Sequence, residues 1–467
     1  MKVWFVTPEA VPLAKTGGLG DVCGALPSAL EKLGANVSVV MPWYSSIDGK
    51  KIDSLSLSLG SENFTVIMGK TQLSGVDVHL VGYPPYYHRQ ELYGEGNSAY
   101  PDNDRRFMLL SRAAIAWGMK TGMPDLFHCH DWFTAMVPMY LNTDSTVPHR
   151  PSVFTVHNLQ YQGVFPASSY GLTGLSWDRF NPAEVEYYGQ LNLMKTGLVY
   201  ADKITTVSPT YSREIQTSKF GEGLENILRR RSSNLEGILN GIDDEIWNPQ
   251  KDVYLEKSEK FSRSDLSGKK KLKETLLETY SLESDEEEPL IGMVSRLAGQ
   301  KGIDLLLESS DELMKLPGNW LILGTGEKRL EAGLKKWEEK YPERVRVILD
   351  FNEKIAHRIV AGSDIYCMPS RFEPCGLNQM YSFQYGTVPV VHSTGGLADT
   401  VEDGETGFVF DTYLSDNLIE CFKRAINTCR EEPEGWNGMV KLGMEKDFSW
   451  KNSAAKYYDL YRRLLEE

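Results

Sequence analysis

A chain of 467 residues, 41% hydrophobic and 24% charged, is long enough for two or three domains with sizeable cores. Its net charge of −14 argues against nucleic acid or an anionic membrane as the main partner, because either needs a broad basic face. A small anionic ligand needs only a local basic pocket and stays open. The six cysteines are scattered without a close C-x-x-C pair and read as reduced thiols. "MKVWFVTPEA" is interrupted by Glu9 too soon for a signal peptide, and no apolar run approaches the ~20 residues of a membrane span, so the expected compartment is the cytoplasm.

In chain order, "VWFVT" (3–7), "VSVVM" (37–41), "VDVHLV" (76–81), "DLFHCH" (125–130), "SVFTVH" (152–157) and "KITTV" (203–207) are short apolar runs. Amphipathic stretches such as 21–33 and 104–119 lie between several of them. This is the rhythm of a parallel sheet covered on both faces. The stretch 241–289 is polar and carries the runs "KKKLK" and "SDEEEP", which read as solvated surface. The strand rhythm then restarts with 289–295, 320–324, 344–349, 364–369 and 388–391, with helices expected at 303–315, 327–340, 353–361 and 376–385. A last helix, starting after Ser449, shows an apolar face of Trp450, Tyr457, Tyr458, Tyr461 and Leu464. The predicted architecture is α/β with two doubly wound domains, 1–245 and 246–448, and a helix 449–467 packing back on the first.

In such sheets ligands bind beyond the carboxyl ends of the strands. After the first strand comes "LAKTGGLGDV". Its glycines let backbone approach a ligand, the next helix offers unpaired N–H groups, and Lys15 adds a charge. The alternative is a glycine turn leading Asp21 into a helix, with Lys15 solvated. "SRLAGQKG" places Arg296 and Lys301 after strand 289–295, either as a phosphate clamp or as two surface charges. "PSRFEPCGLNQ" brings Glu373, which can accept bonds from sugar hydroxyls or cap a helix, and "STGGLADTV" brings a candidate N–H nest at Thr394, Gly395 and Gly396. "HCHDWFTA" supplies Asp131, a cap for a helix 132–141 or a ligand group, and Trp132. "TVHNLQYQG" supplies His157, and "ILNGID" supplies Asn240. Phe351 is a base-stacking platform or a core residue.

Together, KTGGLGD, HDW, TVHNLQYQG, NGID, SRLAGQKG, SRFEPCGL and STGGLADT resemble, in order, the bacterial glycogen synthases and plant starch synthases. The resemblance implies a GT-B fold, two Rossmann-like domains facing a cleft. It implies transfer of glucose from ADP-glucose to the non-reducing 4-OH of an α-1,4-glucan, with retention at C1 and with no metal or cofactor. By the same resemblance, Lys15, Gly17 and Gly18 contact the donor, Asp21 orders that loop or the sugar, and Arg296 and Lys301 hold the leaving diphosphate beside Thr394, Gly395 and Gly396. His157, Asn240 and Glu373 surround the transferred glucose, and Glu9, Tyr93, Asp131 and Trp132 lie toward the acceptor. Two positions depart from the wider pattern: Tyr381 stands where many related retaining transferases carry a second glutamate, and Ser393 where some bacterial relatives carry a basic residue.

Four rival readings stand beside this one. UDP-glucose is the alternative donor, and a retaining GT-B enzyme with a small acceptor is the neighbouring activity. A dehydrogenase on the same βαβ units needs a G-x-G-x-x-G that neither half has. A non-catalytic glucan-binding protein has no need of Lys15, Arg296, Lys301 and Glu373 together.

Overall fold

The structure is a computed structural model that describes residues 1–96, 98–283 and 288–466. The chain divides into two units, one of Met1–Gly241 with Trp450–Glu467, the other of Ile242–Ser449.

The first unit is built on a nine-stranded sheet. Strand Lys2–Val6 lies in the middle, paired in parallel with Asn36–Pro42 on one side and Leu126–His130 on the other. Outward from Leu126–His130 come Ser152–Val156, Lys203–Thr206 and Leu235–Gly237, all parallel. Outward from Asn36–Pro42 comes Val76–Gly82. The chain therefore reverses direction of growth between Lys2–Val6 and Leu126–His130, and this switch is where loops open a crevice. Both faces are covered by helices, so Val3, Trp4, Phe5 and Val6 are all buried, which is why the run reads as continuously apolar.

The far edge carries an element the apolar runs do not announce. Lys50–Leu59 and Glu62–Leu73 form an antiparallel hairpin against Val76–Gly82. In "SLSLSL", Leu55, Leu57 and Leu59 are buried and the serines between them exposed, the period-two signature of a sheet with one wet face.

Helix Gly18–Lys32 buries Leu19, Val22, Cys23, Leu26 and Leu30, a stripe at helical spacing. Helix Trp450–Glu466 packs against it through its own buried face of Trp450, Ala454, Tyr457, Tyr461 and Leu464. Truncating a buried aromatic of this kind to alanine costs about 3–5 kcal/mol.

The second unit holds a six-stranded parallel sheet in the order Val345–Ile348, Asn319–Leu323, Leu290–Val294, Ile365–Met368, Val388–His392, Phe408–Phe410. This is the doubly wound order, with its switch between Leu290–Val294 and Ile365–Met368. The expected strands are present, and Phe408–Phe410 is an additional edge strand.

Two readings of the 241–289 stretch are corrected. The run KKKLK lies in helix Ser267–Thr279, and Lys269 is buried, its ammonium donating to the Ala361 carbonyl (2.8 Å), the Ser363 carbonyl (2.6 Å) and Thr387 Oγ1 (2.7 Å). These carbonyls end helix Glu353–Gly362, where a cation meets the negative end of the helix dipole. Trp247 is sandwiched between His357 and Tyr381, with ring centroids 3.7 Å from each. Below it, buried Asp252 accepts from His357 Nδ1 (2.8 Å) and the Tyr385 hydroxyl. Residues 284–287 of the acidic run lie outside the described residues. No described helix is long and apolar enough to cross a membrane.

Candidate active site

In the first unit the loop after strand Lys2–Val6 is organised from within by Glu9. This carboxylate is buried and accepts from the Thr16 amide (2.6 Å), the Thr16 hydroxyl (2.6 Å) and the Gly17 amide (3.3 Å). The Tyr93 hydroxyl also donates to it, while the Tyr93 ring stacks on Phe133 at 4.6 Å. The resemblance puts Glu9 and Tyr93 toward the acceptor; here both serve the glycine loop, as the residues that hold it.

The helix begins at Gly18, three residues before Asp21, with Gly17 as an N-cap that offers no side chain. Gly20 sits in close packing, since a Cβ there would lie 3.1 Å from Glu9 Oε2 and 3.3 Å from the Ala14 carbonyl and would press on both. Gly17 is under no such pressure: a Cβ there meets no atom within 4 Å. Its bareness is therefore free for close approach of a ligand. Lys15 is not simply solvated, because its ammonium lies 2.7 Å from Asp21 in the first turn of the helix. Asp21 thus ties down the cation.

Asp131 follows strand Leu126–His130 with a positive φ of 53°. Of the two readings of Asp131, the helix cap is not seen: its side chain makes no cap bond to the 3-10 turn Trp132–Thr134, and instead accepts from the His157 amide at 2.8 Å. Burial pushes its carboxyl up to about 8, opposed by the bonds from the His157 and Asn158 amides and reinforced by Glu9. Trp132 is buried among Phe107, Phe133 and Phe165, and Gly163 passes so close that a Cβ there would lie 2.4 Å from its ring.

His157, just past strand Ser152–Val156, is buried, and its Nε2 lies 3.0 Å from His130 Nδ1. Burial lowers the imidazole to about 3, so the ring is neutral at physiological pH. Asn240 follows strand Leu235–Gly237, and its buried Oδ1 has no hydrogen-bond partner among the described residues. An acceptor left bare in this way is a site for a hydroxyl.

In the second unit, Lys301 and Glu373 lie beyond the two strands that flank the switch. Lys301 Nζ lies 2.6 and 2.9 Å from the two Glu373 oxygens, and Ser370 Oγ donates to the same carboxylate at 3.0 Å. Lys301 is thus not a lone surface charge: its ammonium is held in place by a buried carboxylate. Arg296 is exposed, with a long contact of 3.4 Å to Gln300, and stays available. The nest reading of Thr394–Gly396 is also modified. Gly396 N–H donates to the Glu373 carbonyl at 3.1 Å, and Cβ atoms on Gly395 and Gly396 would lie 1.8 and 1.9 Å from the Glu373 and Cys375 carbonyls. These glycines let the Glu373 loop lie against the helix start. Phe351 is 90% exposed just before helix Glu353–Gly362, which removes the core alternative. Among the described residues no group of three or more His, Cys, Asp or Glu could hold a metal ion.

Sequence reasoning missed His128, His130 and Tyr461 as polar members behind His157. The signal was there in "HCH": alternate histidines on a strand share one face.

Comparison with known proteins agrees with this layout. Residues 2–230 match the family described as starch synthase catalytic domain, and residues 278–436 match glycosyl transferases group 1. The glycogen synthase of Koribacter versatilis (strain Ellin345) is 41% identical over 99% of this chain and 98% of its own. Glycogen synthase 1 of Methylococcus capsulatus is 43% identical over 100% of this chain and 97% of its own. The solved catalytic domain of starch synthase IV from Arabidopsis thaliana, bound to ADP and acarbose, matches with a TM-score of 0.91 and 33% identity over 100% of this chain and 99% of that one. A sucrose-phosphate synthase from Thermosynechococcus elongatus, 17% identical with a TM-score of 0.62, shares the fold.

Two doubly wound units with loops of this make-up define a glycosyltransferase of GT-B fold. More narrowly, the chain belongs to the glycogen synthase and starch synthase family.

Proposed function

We propose that the enzyme transfers glucose from ADP-glucose to the non-reducing 4-OH of an α-1,4-glucan with retention at C1. The observation that carries this reading is the full-length likeness to a starch synthase catalytic domain solved with ADP and acarbose, together with the placement of the charged residues after the strands.

Breaking the C1–O bond leaves the electron pair, and so negative charge, on the diphosphate and positive charge on the sugar. With Lys15, Arg296 and Lys301 as donors, the protein meets the leaving charge with preorganised cations, the kind of group whose loss costs about 3–4 kcal/mol of barrier. Gly17, Gly18, Thr394 and Gly395 bring backbone close to the diphosphate. Phe351 stacks on the base. His157, Asn240 and Glu373 surround the glucose, with the bare Asn240 Oδ1 accepting from a hydroxyl. Asp131 and Trp132 lie toward the acceptor. Glu9 and Tyr93 act there through the loop they hold. In the same-face mechanism we favour, the acceptor O4 bonds to C1 on the side the diphosphate leaves, and the O4 proton passes to a phosphate oxygen. No protein nucleophile is needed.

The reaction is tested by incubating the protein with glycogen and labelled ADP-glucose or UDP-glucose. Incorporation from ADP-glucose supports the proposal. Incorporation only from UDP-glucose overturns the donor, and incorporation from neither overturns the activity.

A further inference from the structure

Behind His157 runs a buried chain of polar groups in the first unit. The Tyr461 hydroxyl meets His128 Nδ1 at 2.6 Å, His128 Nε2 meets Thr155 Oγ1 at 2.6 Å, and Thr155 Oγ1 meets Thr205 Oγ1 at 2.6 Å. The His130 ring lies against the His128 ring at 4.2 Å, and its Nδ1 meets His157 Nε2. His130 Nε2 is buried with no hydrogen-bond partner among the described residues.

Proton positions follow from counting donors and acceptors. His128 and His130 are driven well below the ordinary imidazole value by burial, and His157 falls with them, so each ring carries one proton. Between His130 Nδ1 and His157 Nε2 one nitrogen donates and the other accepts. If His157 donated, the proton of His130 would sit on Nε2, a buried N–H with nothing to bond. If His130 donates, its unpartnered Nε2 is only a lone pair. Buried orphan N–H groups are the rarer defect. We infer that His130 is a positioning residue: it donates through Nδ1 to His157 Nε2, and so fixes His157 as the Nδ1–H tautomer that meets its ligand as a hydrogen-bond donor. The last clause rests on the proposed placement of His157 beside the transferred sugar; the tautomer itself does not.

The same count orders the second branch. Tyr461 donates to His128 Nδ1, since its hydroxyl proton has no other acceptor among the described residues, and His128 Nε2–H then donates to Thr155. The terminal helix thereby holds His128 upright beneath the His130 ring.

The test is a long-range proton–nitrogen correlation spectrum of the full chain labelled with 15N-histidine, with the His157 signals identified by their loss in His157→Ala. The expected result is a protonated Nδ1 and an imine-type Nε2 on His157. His130→Asn keeps a donor where Nδ1 stood and is expected to keep that tautomer with nearly normal turnover. His130→Asp puts an acceptor there and is expected to switch His157 to Nε2–H. Its kcat should drop about ten- to a hundredfold with the glucan KM unchanged, by analogy with the loss of partners that orient metal-bound histidines. An Nε2–H signal in the wild-type protein overturns the inference, and so does an unchanged tautomer in folded His130→Asp. The wild-type spectrum decides alone if that variant does not fold. An Nδ1–H tautomer combined with full activity in His157→Ala would uphold the inference about His130 and remove His157 from the proposed site.

Discussion

Lys301 and Glu373 hold each other, the ammonium lying within 2.9 Å of both carboxylate oxygens, with Glu373 buried and Lys301 largely so. Such a pair is costly to break from one side, because the survivor is left as an uncompensated charge. Lys301→Ala is therefore expected to lose both diphosphate stabilisation and the orientation of Glu373, lowering kcat by about 10²–10³-fold. Glu373→Gln should be nearly as damaging, and the double variant little worse than either single one. Additive losses in a double-mutant cycle on kcat/KM would show that the two act independently.

The glycine loop depends on Glu9 in a different way. Glu9→Ala leaves the Thr16 and Gly17 amides without their acceptor and Tyr93 without its partner. Each lost charge-assisted bond is worth about 1.5–3 kcal/mol. Hydrogen exchange over residues 15–18 should accelerate and activity should fall. Unchanged exchange in that segment would remove the holding role assigned to Glu9.

Phe351 is so exposed that its removal has almost no folding consequence. Phe351→Ala should leave the melting temperature unchanged and raise the donor KM, by a loss of about 1–3 kcal/mol of base stacking. Equal donor KM values in variant and wild type would take the platform away.

Acid should act on the first unit through its buried imidazoles. Burial holds His157 at about 3 and His79 at about 4, and holds His128 and His130 well below the ordinary value. The folded unit therefore binds fewer protons than the unfolded chain below about pH 6.5. Its stability is fully present above that pH and is lost as pH falls toward 3, at about 1.4 kcal/mol per pH unit for each imidazole that differs. Asp131, raised to about 8, works in the opposite sense, but it is one group against four. Thermal melts from pH 7.5 to 4.5 should show a steep decline. A flat melting temperature over that range would contradict the neutral, buried state of these rings. By the same reasoning, the pH dependence of kcat should show no inflection near 6.5 from His157.

Much of this architecture is legible in the chain because a strand buried on both faces is predominantly apolar along its whole length. VWFVT and its later counterparts announce themselves, and strand ends then locate the loops. The SLSLSL hairpin escapes a search for continuous runs, since its order lies in alternation. Lys269 escapes because composition alone does not give helix rotation, and it is rotation that turns this lysine inward onto three acceptors. At the site, residue types and their loops are readable, but pairings are not. Glu9 meets Tyr93 across 84 positions, and His128 meets Tyr461 across 333. Only the folded backbone brings such pairs into register.

The first unit is discontinuous, completed by residues that follow the whole of the second. On the ribosome its largest part emerges first, yet the surface of helix Gly18–Lys32 that receives the terminal helix stays bare until some two hundred further residues, Ile242–Ser449, have been made. Through that interval an apolar strip and a His128 Nδ1 still awaiting Tyr461 lie uncovered, so nascent protein should engage holding chaperones until Tyr457, Tyr461 and Leu464 arrive.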